Sequence, residues 1–277
     1  MKRRTFLLSA TGGLASIVGY AHWLEPFWLE VTHRDLPIAR LPSSLDGKTL
    51  LHLSDLHIGP LVSKDYLERV WRDGAALRPD IVVYTGDWVS WRGPEQLTQL
   101  EHHLPRVPRG RLATLSVLGN HDYGVRWRER AVGDAIADRV TQSGIRMLRN
   151  ESLDLDGLFV AGIDDYWSPF ARPETALAPW TRGAPSLVLN HNPDCMDERS
   201  RWNGYDGWVL SGHTHGGQCR SPFLQPPILP VRNKRYTSGE IAVDDGRRVY
   251  ISRGVGFNIQ MRLDVRPEIT LFTLRRA

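Results

Sequence analysis

Residues 81–87 read Ile-Val-Val-Tyr-Thr-Gly-Asp, an apolar and β-branched run that ends at a glycine and a carboxylate. Four other short apolar runs, at 49–53, 112–118, 186–189 and 207–210, likewise end at glycine or polar residues. Runs of this length and composition predict buried strands. Open α/β sheets build their sites where strands end, so the five run ends predict one functional site.

The segments between these runs predict helices and hairpins. Helices are predicted over 63–77, 94–104 and 125–142, hairpin turns at 156–157 and 245–246, and a last strand over 269–274. Strand, motif and helix repeated several times indicate a layered α/β (α+β) domain around a sheet core. The active site is expected at the C-terminal ends of its strands.

The composition is that of an ordinary globular protein, since 41% of the 277 residues are hydrophobic and 24% are charged. This length suffices for one large domain with a substantial core. The formal net charge of +4 is small, and the arginines are scattered. An anionic partner is therefore compatible with the sequence but not required by it. The lack of a dense basic stripe with interleaved aromatic residues argues against nucleic acid.

The first 22 residues differ from the rest of the chain. Lys2, Arg3 and Arg4 precede a short apolar stretch that reaches Ala21. A twin arginine before such a stretch is typical of a signal for the Tat export machinery. The stretch is short for a membrane span and has no clear cleavage site, so a removed signal and a retained membrane anchor both stay open. Export predicts the periplasm or the outer face of the cytoplasmic membrane.

Two carboxylates and a histidine follow the first two runs along the chain. Asp55 and His57 are two residues apart, and in extended backbone such side chains point to the same side, so both suit one cation. Asp87 has two carboxylate oxygens, which suit it to bridge two cations about 3.5–4 Å apart. Taken alone, each carboxylate is better interpreted as a cap of a turn or helix.

The next motif, Gly119-Asn120-His121-Asp122, is more specific. The side-chain oxygen of Asn120 is a neutral metal ligand, and His121 suits a general acid that protonates a departing alkoxide. Asp122 is predicted to orient that imidazole or raise its pKa. The alternative is a turn in which Asn120 and Asp122 bond their own backbone.

Three further histidines complete the set. His191 follows an apolar run and would by itself be interpreted as structural. His213 and His215 flank one residue in a glycine-rich stretch, where two imidazoles on one side and close approach of the backbone suit a ligand site. A flexible glycine turn would not need both histidines. Together the motifs supply the oxygen and imidazole donors that two adjacent divalent cations need.

The ordered set of Asp-x-His, Gly-Asp, Gly-Asn-His-Asp, His and Gly-His-x-His resembles the calcineurin-like metallophosphoesterase family over residues 50–218. The resemblance implies a central β-sandwich flanked by helices and a dinuclear centre with His121 as the general acid. The implied ligands of the first metal are Asp55, His57, Asp87 and His215, and those of the second are Asp87, Asn120, His191 and His213. The exported bacterial branch, some of whose members act on UDP-diacylglucosamine, is most similar.

The implied activity is hydrolysis of a phosphoester by a hydroxide that bridges the two ions. Histidine and carboxylate ligands favour Mn, Fe or Zn over Mg. A phosphodiester or pyrophosphate is expected rather than a phosphomonoester, although the ligands are shared. Two other functions stay open: a catalytically silent, metal-stabilised scaffold, which the complete ligand set argues against, and a nuclease of the same fold.

A proline-rich stretch at 221–230 precedes Arg232, Lys234 and Arg235, which are the candidate substrate contacts. An apolar loop flanked by cations could bind a membrane surface and an anionic headgroup. Packing of this loop on the protein's own core is the alternative. A phosphoester linked to lipid is therefore the expected substrate.

The resemblance and the N-terminal signal divide the chain into residues 1–22, a lead-in segment at 23–46, and a catalytic domain at 47–277. The aromatic residues Trp23, Phe27 and Trp28 suit either a membrane interface or packing on the first strand. Cys195 and Cys219 are compatible with a disulfide in an oxidising compartment and with buried thiols.

Overall fold

The computed structural model describes residues 11–13, 15–221 and 226–277. The strands in these residues are β1 Glu30–Ile38, β2 Thr49–Leu53, β3 Ile81–Thr85, β4 Ala113–Val117, β5 Arg146–Met147, β6 Glu151–Leu155, β7 Leu158–Gly162, β8 Ser186–Leu189, β9 Trp208–Ser211, β10 Gly239–Ala242, β11 Arg248–Ile251 and β12 Glu268–Arg276. After the helical residues 11–13 and 15–19, the α-helices are α1 Lys64–Ala76, α2 Glu95–His103, α3 Arg130–Gln142 and the single turn α4 Pro173–Ala176.

The strands form two six-stranded sheets. In the first sheet the order is β1-β12-β2-β3-β4-β5, with β2 to β5 parallel and β12 antiparallel to β2. In the second sheet the order is β10-β11-β9-β8-β7-β6, with parallel inner strands and an antiparallel strand at each edge. The predicted β-sandwich flanked by helices is confirmed.

The alternation of side chains along each strand builds the layers. On β3, Ile81 and Val83 pack between the two sheets with residues such as Leu187 of β8. The intervening Val82 and Tyr84 face the helices α1, α2 and α3 on the outside of the first sheet. A third apolar cluster covers the outer face of the second sheet. Because β3 is buried on both faces, its sequence is a continuous apolar run and does not alternate.

Helix α1 matches its prediction closely. The Ser63 hydroxyl accepts a hydrogen bond from the backbone amide of Tyr66 and caps the first turn. Tyr66, Val70 and Trp71 are buried against the first sheet. The start that was predicted for α3 at residue 125 is wrong, because residues 125–129 form a loop in which the Glu129 carboxylate accepts a hydrogen bond from the Val125 amide at 3.0 Å.

The lead-in segment is part of the folded domain. Strand β1 pairs in parallel with β12 at the edge of the first sheet, and Leu36 and Ile38 are buried between the sheets. Before β1, the chain forms a π-helical turn at Tyr20–Leu24 and a 3-10 turn at Glu25–Phe27. Among the described residues, no helix is long and apolar enough to cross a membrane. The Tat-type motif at residues 2–4 lies outside the described residues.

The two cysteines are free thiols rather than a disulfide. Cys195 is buried in the cluster outside the second sheet, while Cys219 is partly exposed.

A buried arginine joins the N-terminal turns to the domain. Arg262 is fully buried, and its guanidinium donates to the backbone carbonyls of Gly256 at 2.8 Å, Arg253 at 3.0 Å and Val265 at 3.1 Å. Its backbone amide donates to the carbonyl of Ala21 at 2.9 Å. The side chain of Arg262 therefore fixes the shape of the loop at residues 253–265, and its backbone amide attaches the N-terminal segment to that loop.

We expect Arg262→Met to lower the free energy of unfolding by about 3 kcal/mol, because it leaves several buried carbonyls without a donor. The matched control is Arg275→Met, which removes an exposed ion pair with Asp35 and should cost about 0.5 kcal/mol or less. Urea denaturation followed by circular dichroism measures both values. Equal losses for the two variants would contradict this role of Arg262.

Candidate active site

The predicted ligands come from the ends of five strands in both sheets. Residues Asp55 and His57 follow β2, Asp87 follows β3 and Asn120 follows β4. His191 follows β8, and His213 and His215 follow β9. All seven side chains are at most 6% exposed. The two sheets therefore meet at one buried polar site at the C-terminal ends of their inner strands.

Most of the ligand residues have left-handed backbone conformations. The φ angles are 53° at Asp55, 48° at His57, 54° at Asp87, 72° at His213 and 49° at His215. Non-glycine residues adopt such angles only when the surrounding structure compensates for the strain. The extended backbone that was predicted for Asp55 and His57 is therefore wrong, because this pair lies in a tight turn beyond its strand. His213 and His215 lie in a similar turn.

Two glycines allow these turns to approach one another. A Cβ atom on Gly212 would lie 1.9 Å from the Ser54 hydroxyl and 2.3 Å from an Asp55 carboxylate oxygen. Gly86 has a φ of +89°, and a Cβ atom there would lie 2.4 Å from the backbone nitrogen of Gly119. Larger residues at these positions would push the ligand loops apart.

The ligands form two adjacent groups. Asp55, His57 and His215 form the first group, and Asp87, His191 and His213 the second, with ligand atoms within 4.8 Å of one another in each. His213 and His215 therefore divide between the groups, because the turn sends their imidazoles in different directions. This division agrees with the ligand sets implied by the family resemblance.

Asp87 lies between the two groups. Its Oδ2 atom is 3.5 Å from Nε2 of His57 and 3.3 Å from Nε2 of His191. Its Oδ1 atom accepts a hydrogen bond from the backbone amide of His121 at 2.9 Å. This bond fixes the carboxylate so that one oxygen faces both groups, as a bridging ligand requires.

Backbone carbonyls fix the imidazoles of the second group. Nδ1 of His191 lies 2.7 Å from the carbonyl of Thr85, and Nε2 of His213 lies 2.7 Å from the carbonyl of Pro230. A carbonyl only accepts, so these nitrogens donate their hydrogens to it, and the other nitrogen of each ring faces the site. Those two nitrogens lie 3.1 and 3.0 Å from Oδ1 of Asn120. The amide oxygen and the two imidazole nitrogens converge here, and all three are atoms that bind metal ions, so the donor set fits a cation.

The charges of the site also favour a cation. Burial lowers the pKa of His57 and of His213 to about 3, so both rings are neutral. Burial also lowers the pKa of His191, but the neighbouring Asp87 carboxylate outweighs this effect and raises that pKa to about 10. Burial would raise the pKa of Asp87, but His191 and His121 hold it well below its usual range. A negative carboxylate among buried imidazoles therefore attracts positive charge.

His121 lies at the mouth of the site and is partly exposed. Its Nδ1 atom is 3.2 Å from the carbonyl of Ser90, so this nitrogen carries a hydrogen. Its Nε2 atom faces the cavity and lies 3.0 Å from the amide nitrogen of Asn258. Nε2 is therefore the ring nitrogen that a ligand in the cavity would meet, and the general-acid role stays a prediction.

The structure places Asp122 away from the orienting position that was predicted for it. Its carboxylate accepts hydrogen bonds from the backbone amides of Gly119 at 2.9 Å and Val89 at 3.2 Å. Burial raises its pKa to about 7, and the nearby Asp87 acts in the same direction. The backbone carbonyl of Ser90, and not Asp122, contacts Nδ1 of His121. Asp122 instead bonds backbone amides and fixes the shape of the loop, in line with the alternative in which this motif forms a turn.

Three residues at the site were missed in the sequence analysis. Asn258 contacts the imidazoles of His121 and His57. It follows the glycine-containing stretch after β11, which repeats the pattern of the other ligand loops and could have identified it. Trp127 and Trp167 stack with ring centroids 4.7 Å apart at the cavity entrance, and no local pattern indicates that two distant tryptophans meet.

The three candidate substrate cations have different environments. Arg232 is exposed and lines the groove beside Trp127 and Trp167. The assignments of Lys234 and Arg235 do not agree with the structure. The Lys234 ammonium donates to the carbonyls of Leu229 and Val231 at 2.8 and 2.5 Å, and Arg235 donates to the carbonyl of Ala242 at 2.5 Å. Both side chains satisfy backbone carbonyls of their own neighbourhood instead of facing the cavity.

A family model described as calcineurin-like phosphoesterase matches residues 48–217. The chain belongs to this family. The predicted resemblance is thus confirmed, and the protein is a metal-dependent phosphoesterase. The roles of individual residues that the motifs imply stay predictions.

Relatives of this phosphoesterase match it along nearly the whole chain. Phosphodiesterase YaeI of Escherichia coli (strain K12) is 32% identical over 282 residues, which cover 99% of both proteins. The uncharacterized metallophosphoesterase YkuE of Bacillus subtilis (strain 168) is 31% identical and covers 99% of this chain and 98% of its own length. UDP-2,3-diacylglucosamine pyrophosphatase LpxG of Chlamydia trachomatis is 25% identical, with 91% of each protein covered.

We expect the phosphoesterase to bind two divalent ions per chain, and His191→Ala or His215→Ala to lose one of them, because each removes a ligand of one group only. Asp87→Ala should weaken both sites. Mass spectrometry of metal content after loading with Mn²⁺ and desalting measures the ratio. The exposed His33→Ala is the control, and full occupancy in His191→Ala would refute the ligand assignment.

Proposed function

We propose that this phosphoesterase hydrolyses a phosphodiester or pyrophosphate bond in a membrane-associated substrate outside the cytoplasm. The main support for hydrolysis is the position of Asp87 Oδ2 between His57 and His191. It lies 3.5 and 3.3 Å from their Nε2 atoms. One carboxylate oxygen shared by two ligand groups suits two ions that act on the same phosphorus.

The donor set indicates which residues hold each ion. Asp55, His57, Asp87 and His215 would hold the first ion, and Asp87, Asn120, His191 and His213 the second. When bound, the ions supply a water of lowered pKa as nucleophile and neutralise the nonbridging phosphoryl oxygens. Imidazole nitrogens with carboxylate oxygens suit Mn, Fe or Zn.

His121 is proposed to protonate the leaving oxygen. The Ser90 carbonyl holds the hydrogen on Nδ1, so the second proton of the cationic imidazole lies on Nε2, which faces the cavity. Donation from Nε2 to the departing alkoxide leaves the neutral ring with its Nδ1 hydrogen unchanged. Asn258 then stabilises that neutral ring, because its amide nitrogen lies 3.0 Å from Nε2.

A groove beside the ligand groups supports a substrate with a second substituent on phosphorus. The cavity over the ligands has a volume of about 240 Å³ and continues past Trp127, Trp167 and Pro230 into a groove of about 800 Å³. Arg126, Arg128 and Arg232 line this groove together with apolar side chains. A phosphomonoester would leave it empty, whereas a diester or pyrophosphate has a second group to place there.

The similarity to relatives named for phosphodiesterase and for UDP-2,3-diacylglucosamine pyrophosphatase activity supports the same substrate class. The twin arginine at Arg3 and Arg4 supports export by the Tat machinery in the folded, metal-loaded state. The proposed location is the periplasm or the outer face of the cytoplasmic membrane.

Hydrolysis of bis-p-nitrophenyl phosphate by metal-stripped protein, with Mn²⁺, Zn²⁺ or Mg²⁺ returned, tests the reaction. We expect metal-dependent turnover that exceeds turnover of p-nitrophenyl phosphate. Asp87→Ala should abolish it because both ligand groups lose the shared oxygen, while the exposed His33→Ala should not. Metal-dependent turnover that survives in Asp87→Ala would refute the proposed centre.

The role of His121 predicts a dependence on the leaving group. His121→Ala should slow hydrolysis of an alkyl diester by about 10²–10⁴-fold, because an alkoxide must be protonated as it departs. The same variant should affect release of p-nitrophenolate much less, since this anion is stable without a proton. Rates for a methyl and a p-nitrophenyl diester measure the difference, and an equal loss for both would contradict the acid role.

A further inference from the structure

The N-terminal segment is attached to the loop that borders the active site. The carbonyl of Ala21 accepts a hydrogen bond from the amide of Arg262 at 2.9 Å, and the carbonyl of His22 accepts one from the Gln260 side chain at 3.1 Å. The buried Glu25 carboxylate accepts one from the amide of Val265 at 2.5 Å. Residues 20–28 are therefore built into the domain beside residues 258–266.

The same loop forms one side of the active-site mouth. Asn258 contacts His121, and Ile259 lines the cavity over the ligands. Gln260, which holds the N-terminal segment, is the next residue along the chain. The N-terminal segment thus reaches the protein surface directly beside the mouth of the site.

Large apolar side chains are exposed along this edge. Trp23 and Leu24 are 67% and 61% exposed, and Ile259 and Ile228 at the mouth are each 50% exposed. Val125, which lines the groove beside this cavity, is 68% exposed. The helical residues 11–13 and 15–18 that precede the attached segment are exposed as well. Ile228 and Ile259 line the same cavity, and Trp23 follows His22, whose carbonyl is bonded to Gln260. Exposed apolar residues that gather beside the mouth of a site in this way mark a contact surface.

Exposed cations accompany these apolar residues. Arg126, Arg128 and Arg232 line the groove beside Val125. In the part of the chain that the structure describes, none of these three guanidinium groups has a salt bridge, although many other arginines do. Apolar side chains next to free cations match the interface of a bilayer that carries anionic lipids.

We propose that this edge, defined by Trp23, Leu24, Val125, Ile228 and Ile259, is a bilayer contact surface that places the mouth of the active site at the lipid–water interface. The N-terminal segment sets the orientation, because Arg262 and Gln260 fix it to the mouth. The inference rests on the proposed function in one respect, namely that the substrate is associated with a membrane. A lipid-linked phosphoester would then enter the site from the membrane surface without leaving it.

A fluorescent label at the mouth tests the orientation in the full chain. The probe is an NBD group on Val125→Cys, in a Cys219→Ser background that leaves only the buried Cys195. The matched control is NBD on Leu112→Cys, because Leu112 is 44% exposed and precedes β4, at the opposite end of the strands from the ligands. The vesicles contain equal amounts of phosphatidylcholine and phosphatidylglycerol, with and without brominated lipid.

We expect vesicles to shift the emission of the Val125 label to the blue and brominated lipid to quench it, while the Leu112 label does not respond. Trp23→Glu with Leu24→Glu should weaken the response, and pure phosphatidylcholine should give less binding because the arginines then have no anionic partner. An unresponsive Val125 label, with or without vesicle binding, or equal responses at both positions, would overturn the proposal. Turnover of bis-p-nitrophenyl phosphate without vesicles reports separately on the hydrolytic function.

Discussion

The structure of the site depends on the confinement of one carboxylate, Asp87, between two groups of buried imidazoles. A buried negative charge is costly unless a positive charge lies beside it. The imidazole of His191, 3.3 Å away, provides that compensation. The backbone amide of His121 holds the other oxygen, so the carboxylate cannot turn away. The same contact places the proposed acid next to the shared oxygen. Positioning of the acid and bridging of the two groups therefore follow from one side chain.

The sandwich provides the rigidity that this arrangement requires. Ligand loops leave both sheets at the same end, and their residues adopt left-handed conformations that isolated turns would not retain. Gly86 and Gly212 permit contacts between loops that any side chain would prevent. Carbonyls of Thr85 and Pro230 then fix which nitrogen of His191 and His213 is available. The strain is local, while the continuous apolar strands that compensate for it lie beneath the site.

The N-terminal segment connects this centre to the surface of the molecule. Arg262 donates to the carbonyls of the loop at residues 253–265, and its Nη2 atom lies 3.5 Å from Nδ1 of the candidate ligand His215. The backbone amide of the same residue donates a hydrogen bond to the carbonyl of Ala21 in the N-terminal segment. A displacement of the N-terminal segment would therefore also displace the loop at the mouth of the site. This connection is the structural basis for the proposed orientation at a bilayer.

The sequence by itself determined the layered sheet fold and the candidate ligand residues, because strand runs such as 81–85 and the polar residues at their ends are local patterns with a direct physical meaning. Only the tertiary structure decided how those residues divide. It separated His213 from His215, since the turn at these positions is left-handed and not extended. In the tertiary structure the side chains of Asp122, Lys234 and Arg235 form hydrogen bonds with backbone groups. Asn258, Trp127 and Trp167 come to lie at the site. Such partners depend on loops from distant parts of the chain, and no local spacing encodes that proximity.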